Sequence, residues 1–138
     1  MSSTTYIALA MAALMAGTAF AGGHAKPLVK GSNQDASGGT VTASEIVAGA
    51  NGWLVVHRTG ASRKPGPVIG HAPVRKGTNK DVAAILTEPV KKGEQLMLML
   101  HGEAGGKKTG IFEYTLGARE DGPVKVDGKL VMSIVQAQ

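Results

Sequence analysis

Four histidines and six methionines carry most of the chemistry open to this 138-residue chain, because it contains no cysteine. In the segment Glu94 to His101, strict alternation puts Leu96, Leu98 and Leu100 on one face of an extended backbone and Met97, Met99 and His101 on the other. Thioether sulfur with imidazole is a soft donor set suited to Cu(I). The leucines are the natural inward set, which leaves Met97, Met99 and His101 facing outward or beneath a covering segment. A strand buried on both faces, with methionines filling irregular gaps, produces the same pattern with no metal. Trp53 to Arg58 alternates as well: with Arg58 in solvent, Trp53, Val55 and His57 share the inner face. His57 is then a buried imidazole, either a ligand or one satisfied by a backbone hydrogen bond. His71, in Gly70-His71-Ala72-Pro73, falls at a strand end and has the same two roles open to it.

A second donor set depends on processing. The apolar run Tyr6 to Phe20, closed by the small-x-small triplet Ala19-Phe20-Ala21, reads residues 1–21 as a cleavable secretory signal. It is shorter than the roughly 20 residues a spanning helix needs, so no membrane segment is expected after processing. Cleavage after Ala21 exposes Gly22-Gly23-His24, whose amine, two amides and imidazole can wrap Cu(II) or Ni(II) in a square plane. Copper is therefore the one cofactor the residues suggest, beside the plain alternative of none. A thiolate-containing blue-copper centre is excluded by the absence of cysteine.

Catalysis is not expected. Ser44, Ser62 and Ser133 lack a nucleophile-elbow context, no two histidines have zinc-ligand spacing, and Glu113 is the outward residue between Phe112 and Tyr114. The charge is more informative: 15 Lys and Arg against 10 Asp and Glu give a formal net charge of +5. The cations cluster as the pairs Arg63-Lys64, Arg75-Lys76, Lys91-Lys92 and Lys107-Lys108, each beside Gly or Pro. Such pairs serve solubility or contact an anionic polymer, a lipid head group or an acidic protein. Nucleic acid is a poor candidate, because only Trp53, Phe112 and Tyr114 remain after residue 21 to stack on bases.

The elements that must position these residues follow from period and turn chemistry. Residues 22–39 are rich in glycine with no sustained apolar period, and read as a flexible leader. From Thr40 onward, short runs of Val, Ile, Leu and Thr alternate with turn residues, predicting an all-β domain over residues 40–138. The expectation is an antiparallel β-sandwich, immunoglobulin-like or cupredoxin-like, of about seven to eight strands. Strands are expected at Thr40–Ala48, Trp53–Arg58, Pro67–His71, Asn79–Thr87, Glu94–His101, Gly110–Thr115, Pro123–Val126 and Lys129–Val135. Asn51-Gly52 and Asp127-Gly128 are the dipeptides a two-residue hairpin prefers. If successive strands alternate in direction, Arg63-Lys64 and Lys91-Lys92 lie at one end of the domain and the other two pairs at the opposite end.

Several ordered phrases carry a resemblance: Gly52-Trp53-Leu54-Val55-Val56-His57, Val68-Ile69-Gly70, Glu88-Pro89-Val90, Leu98-Met99-Leu100-His101, Gly110-Ile111-Phe112-Glu113-Tyr114 and Asp121-Gly122-Pro123-Val124. Over about residues 40 to 135 the chain resembles an exported β-sandwich family of unknown function, frequent in halophilic archaea and found in bacteria. The resemblance implies an extracytoplasmic all-β domain, and it marks His57 and His101 as the hydrophobic-His endings of two strands. Together these features predict a periplasmic or extracellular, non-catalytic binding or structural module that contacts anionic envelope material. A periplasmic copper-handling protein is the second reading. A surface component that self-associates by adding its leader as a strand to a neighbour's sheet is the third.

Overall fold

The computed structural model describes residues 25–115 and 117–138, and these contain no helix. The signal segment 1–21 and the Gly22-Gly23-His24 motif lie outside the described residues. Nine strands form: β1 (Leu28–Lys30), β2 (Thr40–Ala48), β3 (Gly52–Thr59), β4 (Val68–Val74), β5 (Gly77–Leu86), β6 (Gln95–Gly102), β7 (Lys125–Val126), β8 (Lys129–Leu130) and β9 (Met132–Gln136). Seven make one antiparallel sheet in the order β1-β2-β5-β4-β3-β6-β9, and β7 with β8 make a separate hairpin. The all-β, antiparallel architecture is the expected one. Its two layers are halves of a single sheet that nearly closes on itself. β4 and β5 share only the pairs Gly70–Leu86 and His71–Ile85, and the sheet turns there. At the opposite seam Gln34 pairs in parallel with Ala137, through Gln34 N–H to the Gln136 carbonyl at 3.1 Å and Gln138 N–H to the Gln34 carbonyl at 2.8 Å.

The core fills the space between the layers. Val41, Ala43 and Ile46 of β2, Leu54 and Val56 of β3, Ile69 of β4 and Leu96, Leu98 and Leu100 of β6 are buried there. Each large side chain contributes about 1.5–3 kcal/mol by leaving water. The leucines of β6 thus face inward as predicted.

Three expectations need correction. The leader joins the fold from Leu28 onward: Leu28–Lys30 pairs with Val47–Glu45 of its own chain, and Val29 and Ala36 enter the core. Two apolar residues suffice there because the strand closes an otherwise bare edge, a contact too short to leave an alternating pattern. Asn51-Gly52 does not turn a hairpin. β2 and β3 are not neighbours, and the connection crosses between layers while the Asn51 side-chain oxygen accepts the Lys76 N–H at 2.9 Å. Asp127-Gly128 does turn one, with φ of 52° and 75° joining β7 to β8. Finally, Gly110–Thr115 is not a strand. It lies across the outer face of the sheet, where no strand edge is on offer, and its Glu113 N–H goes to the Asp121 carboxylate at 2.8 Å.

Candidate functional site

The outer face of β4-β3-β6 collects most of the residues singled out for chemistry. Cross-strand register sets Trp53 opposite His101, Val55 opposite Met99 and His57 opposite Met97, so all six share one face. His71 of β4 lies opposite Val55 and joins them. The Trp53, Val55 and His57 stripe therefore faces away from the leucine core, on the other side of the sheet from the expectation. Arg58 is the reason. Expected in solvent, it lies on the core side at the strand's end, its guanidinium held by Glu94 at 2.5 Å, Glu88 at 3.1 Å and the Pro89 carbonyl at 2.9 Å. A long cation at an open end reaches its partners while its stem covers apolar surface.

This outer face is roofed by the connection between β6 and β7, residues 103–124. Asp121 pins that roof. It is fully buried, and its two carboxylate oxygens accept the N–H groups of Ala104 at 3.1 Å and Glu113 at 2.8 Å. Its own N–H donates to the Ala104 carbonyl at 2.9 Å, with φ of 45°, a conformation Asp tolerates better than most residues. So held, the roof lays Phe112 and Tyr114 on the histidines. Phe112 stacks on His71 at 4.5 Å and meets Trp53 edge-on at 5.5 Å; Tyr114 stands edge-on to His101 at 4.6 Å and to His57 at 6.0 Å. The Trp53 indole N–H donates to Glu103 at 2.8 Å. A cleft of about 500 Å³ opens beside His71, Phe112 and Tyr114, floored by Val68 and Gly70.

His57 and His101 are both 0% exposed. They occupy diagonal positions of the register, with the Val55–Met99 row between them, and their ring centroids lie 5.3 Å apart with the planes 30° from parallel. Their Nε2 atoms stand 3.2 Å apart. Each Nδ1 faces a backbone carbonyl: that of Gly66 at 2.8 Å for His57, where β3 slips register against β4, and that of Asp121 at 2.7 Å for His101. Burial lowers the pKa of both imidazoles below the usual histidine value, against the opposing pull of those carbonyls. For His101, where the neighbouring His57 adds to the fall, the value is about 4. Burial also lowers His71, which remains partly in solvent.

The structure thus brings Met97, Met99 and His101 onto one buried face and adds His57, an association the separate strand patterns did not contain. Among the described residues no three His, Asp or Glu side chains converge as a ligand group. The four cation pairs stand apart from this site, all exposed. Arg63, Lys64, Lys91 and Lys92 lie in the β3–β4 and β5–β6 loops at one end; Arg75 and Lys76 in the β4–β5 turn, with Lys107 and Lys108 in the roof loop, lie at the other. None of the eight enters an ion pair among the described residues, whereas Glu45, Glu88 and Glu94 are taken by Lys30, Lys80 and Arg58. Sequence reasoning missed Asp121. The Asp-Gly-Pro turn was visible, but a carboxylate bonded only to backbone N–H groups has no residue-type partner to reveal it.

No curated protein and no solved structure matches the chain. A family model does, over residues 27–138, and its start just before β1 agrees with the inclusion of that strand in the fold. By that match the chain belongs to the family described as domain of unknown function DUF7282.

Proposed function

We propose that the chain is an exported, non-catalytic module that binds anionic envelope material through its two cationic ends. The observation that carries this reading is that all eight cations of the four pairs are exposed and none enters an ion pair among the described residues. A solvated surface with mixed charges would pair more of them, and uncompensated positive loops raise the local concentration of polyanions. The non-catalytic reading is supported by the imidazoles: the Nδ1 atoms of His57 and His101 face backbone carbonyls and their Nε2 atoms face each other, and among the described residues no hydroxyl or carboxylate hydrogen-bonds to either ring.

The test is retention of the processed protein on an acidic polysaccharide resin and on vesicles with anionic or zwitterionic head groups, across a salt gradient. Retention at low ionic strength should vanish as the screening length falls to about 10 Å near 0.1 M salt. Arg63→Glu with Lys64→Glu should elute earlier, and adding Arg75→Glu with Lys76→Glu earlier still. Passage straight through both supports at low salt, or indifference to these substitutions, overturns the reading.

A further inference from the structure

The buried imidazoles cannot complete their contacts with the hydrogens they own. The Gly66 and Asp121 carbonyls only accept, so the contacts of 2.8 Å and 2.7 Å require a hydrogen on each Nδ1. A neutral imidazole carries one N–H, so each Nε2 is then a bare lone pair, and the two face each other at 3.2 Å. Changing the tautomer of either ring only moves the defect, setting a bare Nδ1 against a carbonyl oxygen. A water about 2.8 Å from both nitrogens would see them roughly 70° apart and could donate to both only through two bent hydrogen bonds. A third proton, shared between the two Nε2 atoms, would also complete the set, so a proton and a metal ion compete for the same two lone pairs.

We propose that His57 and His101 hold one soft monovalent cation of the Cu(I) class between their Nε2 atoms, with the thioethers of Met97 and Met99 on the same face as its further donors. The spacing fits. Imidazole nitrogens bind at about 2.0–2.1 Å, and two such nitrogens 3.2 Å apart subtend roughly 100° at the ion, close to the tetrahedral angle. A carbonyl accepting from the distal Nδ1–H is the support that ligating histidines normally have. The donor set is soft and uncharged, because the one buried carboxylate, Asp121, has both oxygens occupied by backbone N–H groups. That carboxylate also sets the charge. With a single buried anion and no buried Lys or Arg among the described residues, a monovalent ion leaves the interior neutral, whereas a divalent ion leaves an uncompensated positive charge. This inference is independent of the polyanion contact, which uses residues at the ends of the molecule.

Silver(I), a redox-inert probe of the same class, tests it in the His24→Ala protein, where the amino-terminal motif cannot contribute. Long-range proton–nitrogen NMR of the imidazoles should show one equivalent of Ag(I) moving the Nε2 resonances of His57 and His101 while each Nδ1 keeps its hydrogen. That equivalent should be lost in His57→Gln and in His101→Gln, with the β-sheet circular dichroism retained. If either variant fails to fold, the NMR titration of the folded His24→Ala protein decides alone. Unmoved Nε2 resonances, binding retained in both folded Gln variants, or a metal-free spectrum showing an imidazolium shared across the pair at neutral pH would each overturn the proposal.

Discussion

His101 and Asp121 are separated by 20 positions in the chain, yet the backbone of one fixes the ring of the other. Two outcomes follow for single residues. Because His101 titrates near 4 when folded and near 6.5 when unfolded, the unfolded chain binds the proton more readily. Stability is therefore fully present above pH 6.5, falls as the pH drops through that value, and levels off below about 4, with His57 adding in the same direction. At about 1.4 kcal/mol per unit, His101 accounts for roughly 3 kcal/mol, so urea midpoints measured between pH 7.5 and pH 4 should decline across that window. A flat profile would mean that the rings are charged in the folded state. Asp121→Ala removes the acceptor for the Ala104 and Glu113 N–H groups and should cost about 1–3 kcal/mol, with amide exchange accelerating first at those two residues. As for legibility, alternation alone placed Met97, Met99 and His101 on a shared face. It could not show that His57 meets His101, since the diagonal depends on the register between β3 and β6, which one strand's pattern does not encode.

Strands were read worst where a segment alternates without a partner, as at Gly110–Thr115. β2 matches its expected limits, and β3 and β6 differ by one or two residues at their ends. Phe112 and Tyr114 do share a side, as their spacing implied, but they press on side chains instead of pairing with a strand. The Gly105, Gly106, Gly110 and Gly117 positions around them allow the roof to bend across the sheet. Close backbone approach is most demanding at Gly52, at the start of β3, where an added Cβ would meet the His101 carbonyl oxygen at 2.2 Å. That oxygen belongs to the β3–β6 ladder and cannot yield cheaply. Gly52→Ala should therefore destabilise the protein by about 3 kcal/mol, seen as a lower denaturation midpoint with an unchanged denaturant slope. It should also loosen the aromatic cluster, read as a weaker near-ultraviolet signal from Trp53.

Taken as a whole, the molecule has its cation pairs and its β6 leucines where period-two patterning put them, and departs from the reading at the Trp53, Val55 and His57 stripe and at its seam. The bipolar placement of the cation pairs was legible because it needs only strand direction and loop position. Closure by β1 was not, because three residues leave no period to detect and Gly31 beside them looks like a linker. Gly31 instead marks a tight passage, where a Cβ would come within 2.7 Å of Leu98. Deleting residues 25–31 should lower the melting temperature by on the order of 5–15 °C and bare the β2 edge, giving concentration-dependent association by light scattering. A variant that melts unchanged as a monomer would show β1 to be dispensable. The seam has another consequence. β1 and β9 run the same way, so the chain enters at one end of the sheet and leaves at the other. Tension applied along the polypeptide from both sides would drag these strands lengthwise past their neighbours and strain the rungs of each ladder together, so the domain should resist mechanical stretching better than one that peels open from a single corner.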